Sequence, residues 1–321
     1  MPTFEEIKKS LRLPVIGAPL FIVSNPKLVI AQCCAGIVGS FPALNARPQE
    51  KLDEWIVEIK EALAAHNDKH PQRTAAPFAV NQIVHRSNDR LQKDMESCVR
   101  HQVPIVICSL GAREDVYQAI HSYGGVVLHD VINNAFAKKA ISKGADGLIP
   151  VAAGAGGHAG VISPFALVEE IREWFDGPIA LSGAIATGGG VLAAEAMGAD
   201  FAYIGSAFVA TEEANAPQAY KQAIVDGTAD DIVYTNLFTG VHSNYLKASI
   251  VGAGLDPANL PESDPTKMDF GSGGASAKKA WKDIWGSGQG IGTVKSVVAA
   301  AALVDRLDRE YKEARRRLHL D

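Results

Sequence analysis

The chain has 321 residues, of which 47 % are hydrophobic, and carries a formal net charge of −5. This length supports one large core with a smaller appendage, and the charge excludes a broad basic surface for nucleic acid. No apolar run reaches the roughly 18 residues of a membrane helix, so no membrane contact is expected. The cysteines Cys33, Cys34, Cys98 and Cys108 form no C-x-x-C pair, and residues 1–10 are polar and charged. We therefore expect a reduced, cytoplasmic protein.

Eight short apolar segments alternate with helical patterns through the first two thirds of the chain. The predicted strands are 15–18, 37–41, 78–81, 105–109, 126–129, 147–151, 179–182 and 201–205. The predicted helices are 26–34, 49–65, 88–101, 112–122, 134–143, 164–175 and 189–197. Repeated strand–helix units imply parallel strands, because each return to the sheet needs a crossover. Eight units fit a closed (β/α)8 barrel without leftover strands, and a doubly wound open sheet is the alternative.

The pattern changes after residue 213. Residues 214–246 look helical and then loop-like, and residues 254–280 are rich in Pro, Gly and Ser, which is typical of a lid or binding loop. A long amphipathic helix is predicted at 293–317. We therefore predict a barrel formed by residues 1–213 and 289–321, with a smaller, mostly helical or loop unit inserted at 214–288.

The segment GADGLIPVAAGAGGHAG, residues 144–160, runs from a short apolar strand into a loop of small residues. Gly and Ala let a planar ligand approach the backbone closely. The loop leaves His158 as its main titratable group, and an imidazole is suited to proton transfer near neutral pH. His158 is thus the predicted catalytic residue, and a hydrogen-bonded surface histidine is the alternative.

Two consecutive strand ends carry a candidate phosphate site. Ser182, Gly183 and Ala184 end the seventh predicted strand, and Gly205 and Ser206 end the eighth. Barrels of this class often bind phosphate between these two loops, and small residues let backbone N–H groups face an anion. A helix N-terminus after either loop would add positive charge. The alternative is a pair of ordinary tight turns.

Two further histidines are weaker candidates for the site. His129 ends the fifth strand, and His242 lies in TGVHSNYL. The segment GSGQGIG, residues 286–292, does not match the dinucleotide fingerprint, so we interpret it as a turn close to the ligand. No Cys/His cluster has the spacing of a zinc site, so no metal is predicted.

Four segments between residues 14 and 246 resemble the nitronate monooxygenase family, formerly called 2-nitropropane dioxygenases. These FMN-dependent barrels are related to FMN-dependent enoyl-ACP reductases. The segments are PVIGAPLFIVSNPKLVIAQCCAGIVGSF, GADGLIPVAAGAGGHAG, IALSGAIATGGGVLAAEAMGADFAYIGSAFVATEEA and TNLFTGVHSNYL, with GQGIG as a further family-like element.

The resemblance implies FMN as the cofactor and assigns roles to individual residues. His158 matches the catalytic histidine, which acts as a base on nitroalkanes and contacts the nitro group. The loops that bind the FMN phosphate match Ser182, Gly183, Ala184, Gly205 and Ser206. Further cofactor contacts are assigned to Pro19, Leu20, Asn81, Gly156 and Gly157, and the substrate pocket to Phe21 and His242.

Two positions depart from the family pattern. Many relatives have a lysine near the end of strand five, where a cation would stabilise the anionic reduced flavin, but this chain has Asp130 preceded by His129. Either His129 substitutes for that cation beside the cofactor or the redox tuning differs. The first strand turn carries Leu20 and Phe21 where a Met-Ala or Met-Gln pair is common, which predicts a pocket for a different substrate.

The resemblance implies three alternative functions. The first is oxidation of a small alkyl nitronate or nitroalkane by O2 to a carbonyl compound and nitrite. The second keeps FMN but uses NAD(P)H to reduce a quinone or an enoyl thioester. The third is flavin binding with little catalysis. The physiological substrate, the use of NAD(P)H and the oligomeric state stay open, with a homodimer as one expectation.

Overall fold

Eight parallel strands surround the centre of the computed structural model, which describes residues 3–263 and 283–320. The barrel strands are β1 Val15–Gly17, β2 Gly39–Pro42, β3 Phe78–Ile83, β4 Ile105–Ser109, β5 Val126–Val131, β6 Gly147–Pro150, β8 Ala180–Ser182 and β9 Phe201–Ile204. Three further strands lie outside the barrel: β7 Gly157–His158, β10 Ile232–Thr235 and β11 Ser243–Leu246. Each of the eight predicted strands overlaps one barrel strand.

The barrel closes through two sheets that meet at both edges. Strands β2 to β6 pair in chain order, and β9 pairs with both β1 and β8. Backbone bridges between Ile16 and Val38 and between Leu148 and Ile179 join the two sheets, and both bridges are parallel. Because β1 neighbours both β2 and β9, the sheet has no free edge. This closure confirms the (β/α)8 barrel over the open sheet.

The helices follow the predicted pattern, with boundaries shifted by a few residues. They are α1 Phe4–Ser10, α2 Pro26–Cys34, α3 Lys51–Lys69, α4 Leu91–Arg100, α5 Glu114–His121, α6 Asn134–Ser142, α7 Pro164–Arg172, α8 Gly188–Ala196, α9 Ser206–Val209, α10 Gln218–Asp226, α11 Lys247–Gly252 and α12 Ala300–Arg317. The last helix was expected from residue 293, but residues 289–293 form a 3-10 turn and Val298 bridges to Thr211. None of the helices in the described ranges is long and apolar enough to cross a membrane.

The barrel interior changes from apolar to polar along its axis. Ile7 of α1 closes the N-terminal end and packs against an inner layer that includes Ile16, Ile105 and Phe201. Alternate residues of a strand face the same side, so the next inward positions lie two residues further on. Those positions carry Ser40, Asn81, Ser109, Asp130 and Tyr203. We call these five residues the polar floor, because they lie at the C-terminal mouth of the barrel.

Residues 232–246 form a β-hairpin, whereas the sequence suggested a loop. Strands β10 and β11 pair antiparallel, and β11 pairs in turn with β7. Tyr245, Ile250 and Ile284 form a small cluster separate from the barrel core, whereas Tyr220 and Ile224 pack in that core. The division into a barrel and an inserted unit at 214–288 stays a prediction. Of the loop predicted at 254–280, residues 264–280 lie outside the described residues.

Two adjacent glycines of α8 give a matched test of helix packing. A Cβ atom on Gly188 would collide with the backbone of Leu307 and Tyr311 in α12, whereas one on Gly189 would lie 3.9 Å from Thr187 Oγ1. We expect Gly188→Ala to lower the free energy of unfolding by about 2 kcal/mol or more, because the helices must separate. Gly189→Ala should raise it by about 0.5 kcal/mol, since alanine favours helix. Urea denaturation measures both, and equal effects would contradict the packing.

Candidate active site

Three loops at the C-terminal ends of the barrel strands converge beneath one glycine-rich segment. The backbone N–H of Gln289 donates to the Gly154 carbonyl at 2.9 Å, and that of Gly288 donates to Ser206 Oγ at 2.9 Å. A Cβ atom on Gly290 would lie 2.7 Å from the Ala184 carbonyl oxygen. The segment 286–290 therefore packs against the loops that follow β6, β8 and β9. This is the turn that the sequence predicted to lie close to the ligand.

Backbone donors at the ends of β8 and β9 are available to an anion. Within the described residues, no recorded hydrogen bond engages the N–H of Gly183, Ala184 or Ser206. Ala184 is exposed and has φ of 54°, a left-handed conformation that costs a non-glycine residue about 1 kcal/mol. The surrounding packing therefore holds this turn in place. Donors from adjacent strands fit the phosphate group expected at this point.

The helix that follows β8 contributes little to this anion site. Thr187 caps α8 by accepting from the Gly190 N–H at 3.0 Å, and Glu310 of α12 accepts from the Gly188 N–H at 2.9 Å. A carboxylate already neutralises that helix terminus. Any positive charge from a helix N-terminus at this anion site would therefore come from α9, a four-residue helix that begins at Ser206.

The hairpin that the sequence did not predict holds His158. His158 and Gly157 form strand β7 and pair with Ser243 and Asn244 of β11. The Asn244 amide donates to the Ala155 carbonyl at 2.7 Å, which ties the hairpin to the glycine loop. The Ala159 N–H also donates to the His242 carbonyl at 3.3 Å. The hairpin of β10 and β11 thus holds the predicted catalytic histidine at the mouth through β11.

The environment of His158 keeps its ring neutral. The residue is half-buried, and burial lowers the pKa of its imidazole to about 4. At neutral pH the ring has one N–H donor and one acceptor nitrogen. A neutral imidazole with this pKa is a weak base, although a bound anion would raise the pKa by favouring the charged form.

The turn after β1 borders the phosphate loops. A Cβ atom on Gly205 would lie 3.4 Å from Leu20 Cδ2 and 3.5 Å from Ala18 Cβ, so the residues on either side of the half-buried Pro19 flank the end of β9. Phe21 lies under the Arg47 guanidinium, 5.7 Å from its ring centroid. The structure therefore places the first predicted cofactor turn beside the last one.

His242 lies on the outer side of the hairpin. Its ring is stacked on Tyr234, with 5.0 Å between centroids, and the residue is exposed. The Tyr234 hydroxyl donates to the Ala159 carbonyl at 3.0 Å, next to His158. His242 therefore borders the loop that carries His158, and its role in the substrate pocket stays a prediction.

The structure does not place His129 at the site. Consecutive residues of a strand face opposite sides, and His129 points outward from β5, where its Nδ1 lies 2.8 Å from the Tyr117 hydroxyl of α5. Burial lowers the pKa of His129 from 6.5 to about 4. The neutral ring therefore contributes to the free energy of unfolding above pH 6.5. That contribution is lost as the pH falls toward 4, because the unfolded chain binds the proton first. His129 packs the strand against its helix and does not replace a cation beside a cofactor.

Removing the partner of His129 tests this placement. Tyr117→Phe leaves a buried ring nitrogen without its hydrogen bond, so we expect the free energy of unfolding to fall by about 1–2 kcal/mol. FMN affinity should stay within about twofold of wild type, because the pair faces away from the mouth. Urea denaturation and FMN titration measure the two quantities. A large loss of FMN affinity in a folded variant would contradict the outward placement of His129 and support a role beside the cofactor.

The polar floor contains residues that sequence reasoning missed. The Asn81 amide donates to Ser109 Oγ at 2.7 Å and to the Ile107 carbonyl at 3.1 Å. Burial raises the pKa of Asp130 to about 6, although the nearby Ser109 side chain and Leu110 N–H favour its charged form. Neither Ser109 nor Tyr203 was predicted to be a site residue. The two-residue step from inward apolar positions to a polar residue at the strand end was the signal that could have found them.

The sequence of the whole barrel matches a known family. The family model for nitronate monooxygenase matches residues 5–310. The chain is 27 % identical to a nitronate monooxygenase of Paraburkholderia phytofirmans, over 94 % of this chain and 93 % of that protein. It is also 25 % identical to a (3aS,4S,5R,7aS)-5-hydroxy-7a-methyl-1-oxo-octahydro-1H-indene-4-carboxyl-CoA dehydrogenase of Rhodococcus jostii, over 75 % of this chain and 64 % of that protein.

Solved structures share the fold over almost the full chain. Nitroalkane oxidase from Streptomyces ansochromogenes superposes with a TM-score of 0.80 at 24 % identity, covering 97 % of this chain and 99 % of that one. FabK from Thermotoga maritima gives 0.76 at 22 % identity, covering 99 % of each chain. At these identities the likeness establishes the barrel fold alone. The family match, which spans nearly the whole chain, shows that this protein is an oxidoreductase belonging to the nitronate monooxygenase family of flavoproteins.

Proposed function

We propose that the protein is an FMN-dependent enzyme that oxidises alkyl nitronates with O2 to a carbonyl compound and nitrite. The family match and the nitronate monooxygenase of P. phytofirmans support the reaction class. The observation that carries the proposal is the position of His158, which β11 holds at the same barrel mouth as the backbone N–H groups of Gly183, Ala184 and Ser206.

The residues at the mouth fit an FMN molecule. The N–H groups of Gly183, Ala184 and Ser206 would hold the phosphate, because no other described residue engages them. Leu20 would border the ring system, and the Asn81 amide would offer a polar contact from the floor. When bound, FMN supplies the electron transfer between substrate and O2.

The neutral state of His158 favours a nitronate over a nitroalkane. A nitroalkane must first lose a carbon-bound proton, and a ring whose pKa is about 4 is a weak base for that step. A nitronate is already deprotonated and needs only a hydrogen bond to its nitro oxygens. The N–H of the neutral ring provides that bond and orients the reacting carbon toward the cofactor.

The purified protein tests this function directly. We expect the yellow absorbance of bound flavin, release of FMN on denaturation, and formation of nitrite from propionate 3-nitronate with consumption of O2. A colourless protein that does not take up added FMN would contradict the cofactor assignment. A yellow protein that forms no nitrite would contradict the nitronate assignment alone.

A second candidate is reduction of an enoyl thioester or a quinone by NAD(P)H. The similarity to a carboxyl-CoA dehydrogenase of R. jostii, across 75 % of this chain, favours testing it. Anaerobic oxidation of NADH or NADPH that depends on an added enoyl thioester or quinone would support this reaction over nitronate oxidation. Bound flavin with neither activity would leave flavin binding as the function.

A further inference from the structure

We propose that Asp130 is a titratable electrostatic control on the flavin: its carboxylate opposes negative charge on the ring, and protonation of Asp130 removes that opposition. The proposal rests on the FMN binding proposed above. It assigns a function to the position at which a lysine was expected from the family pattern. The argument depends on where the carboxyl lies, which groups surround it, and which of them change charge near neutral pH.

The carboxyl of Asp130 lies in the floor of the candidate site. Asp130 is one residue from the C-terminal end of β5 and pairs in register with Ile149 of β6. It faces the interior, because its neighbour His129 faces α5. The Ser109 side chain and the Leu110 N–H lie close enough to the carboxyl to lower its pKa, and the Asn81 amide donates to Ser109 Oγ at 2.7 Å. Its place on β5 thus puts the carboxyl at the mouth, where a ring bound above the floor would meet it.

No cation compensates this carboxyl among the described residues. No lysine, arginine or histidine among the described residues lies close enough to lower the pKa of its carboxyl. The strand β6 presents the apolar Ile149, and β3 presents the neutral Asn81. An ionised Asp130 would therefore act on a bound ring as a negative charge that no neighbouring cation offsets.

Asp130 is also the group at the floor that changes charge near neutral pH. Its negative charge contributes to the raised pKa values of Tyr203 in β9, Cys108 in β4 and Tyr117 in α5, which all stay neutral. The two histidines nearest the floor, His129 and His158, have pKa values of about 4 and also stay neutral.

The pKa of Asp130, raised to about 6 by burial, sets the direction of the effect. Below this pH the carboxyl is neutral, and above it the carboxyl is an anion. A bound aromatic ring would exclude more water and move the midpoint upward. We therefore expect the flavin to accept negative charge more readily in acid, and removal of the carboxylate to matter only in neutral or alkaline solution.

Sulfite provides a probe that does not depend on turnover. It adds reversibly to oxidised flavin and bleaches its absorbance, and the adduct places negative charge on the ring. The holoprotein and its Asp130→Asn variant are titrated with sulfite between about pH 5 and about pH 8. The ratio of their dissociation constants at each pH cancels the protonation of sulfite itself. Asp146→Asn is the control, because Asp146 precedes β6 at the opposite end of the barrel.

We expect Asp130→Asn to bind sulfite about tenfold more tightly than wild type at about pH 8, and equally at about pH 5. Asp146→Asn should match wild type throughout. A ratio that does not vary with pH, or the same change in Asp146→Asn, would overturn the proposal. Failure of the wild-type protein to bind FMN would instead overturn the proposed function, so the two failures are distinguishable.

A second variant serves if Asp130→Asn does not retain flavin. Ser109→Ala removes a polar neighbour that favours the charged carboxylate, so the pKa of Asp130 should rise. Sulfite affinity should then begin to fall at a higher pH in Ser109→Ala than in wild type. An unchanged midpoint in this variant would contradict control by Asp130.

Discussion

His158→Ala is expected to lower kcat/KM for propionate 3-nitronate by about 100-fold while FMN stays bound. The variant removes the ring whose N–H would bond a charged nitro group in a protected site, and such a bond contributes about 1.5–3 kcal/mol. FMN should be retained because the donors assigned to its phosphate are backbone groups of the loops after β8 and β9. Initial rates of nitrite formation and the flavin absorbance of the same sample measure both effects.

The same variant separates two roles of the histidine. If the ring also removes a proton, the loss should be larger for a neutral nitroalkane than for its nitronate, because only the nitroalkane needs a base. His121→Gln is a matched control, since His121 lies at the end of α5 and is paired with Asp146. Full nitronate activity in His158→Ala, or an equal loss in His121→Gln, would remove His158 from the proposed mechanism.

Ala184→Glu is expected to weaken FMN binding by about 100-fold relative to Ala184→Gln. Both substitutions place a long side chain on the same exposed left-handed turn, so the backbone strain cancels between them. The two differ by one negative charge beside the proposed phosphate, and repulsion near a protein surface is on the order of 3 kcal/mol at close range. Fluorescence titration of the apoprotein with FMN gives both dissociation constants.

Salt provides an internal check on this comparison. The difference between the glutamate and glutamine variants should shrink as ionic strength rises, because exposed charges are screened. Equal FMN affinities of the two variants at low salt would mean that the phosphate lies elsewhere. Ala184→Gly should retain wild-type affinity, because it keeps the backbone donor and relieves the φ of 54°.

The sequence alone located the eight strands and favoured a barrel, and the closure of the sheet confirmed it over the open alternative. Strands such as β4, with the run IVICS, are apolar on both faces because a parallel barrel buries both, and such runs are visible without a structure. The helices that separate them carry their own signals, such as Asn25 before Pro26 at the start of α2. Strand and helix positions were predicted because these signals are local in the chain.

The sequence was less informative about the inserted unit. Strands β10 and β11 are four residues each, and their pairing depends on contact with β7, which lies about 80 residues earlier in the chain. Residue patterns within one segment of the sequence do not indicate a contact between segments so far apart. The support of His158 by this hairpin was therefore invisible until the chain was folded.

The sequence also predicted where the site lies. Parallel strands bring their C-terminal ends to one face of a barrel, so the small loops and His158, which follow these ends in the chain, were expected there. The sequence did not determine which side of a strand each residue faces. His129 and Asp130 are adjacent in a strand buried on both sides, so composition could not say which one pointed inward. Only the closure of the barrel decided it, turning His129 toward α5 and Asp130 toward the polar floor, because the pleat sends neighbouring side chains in opposite directions.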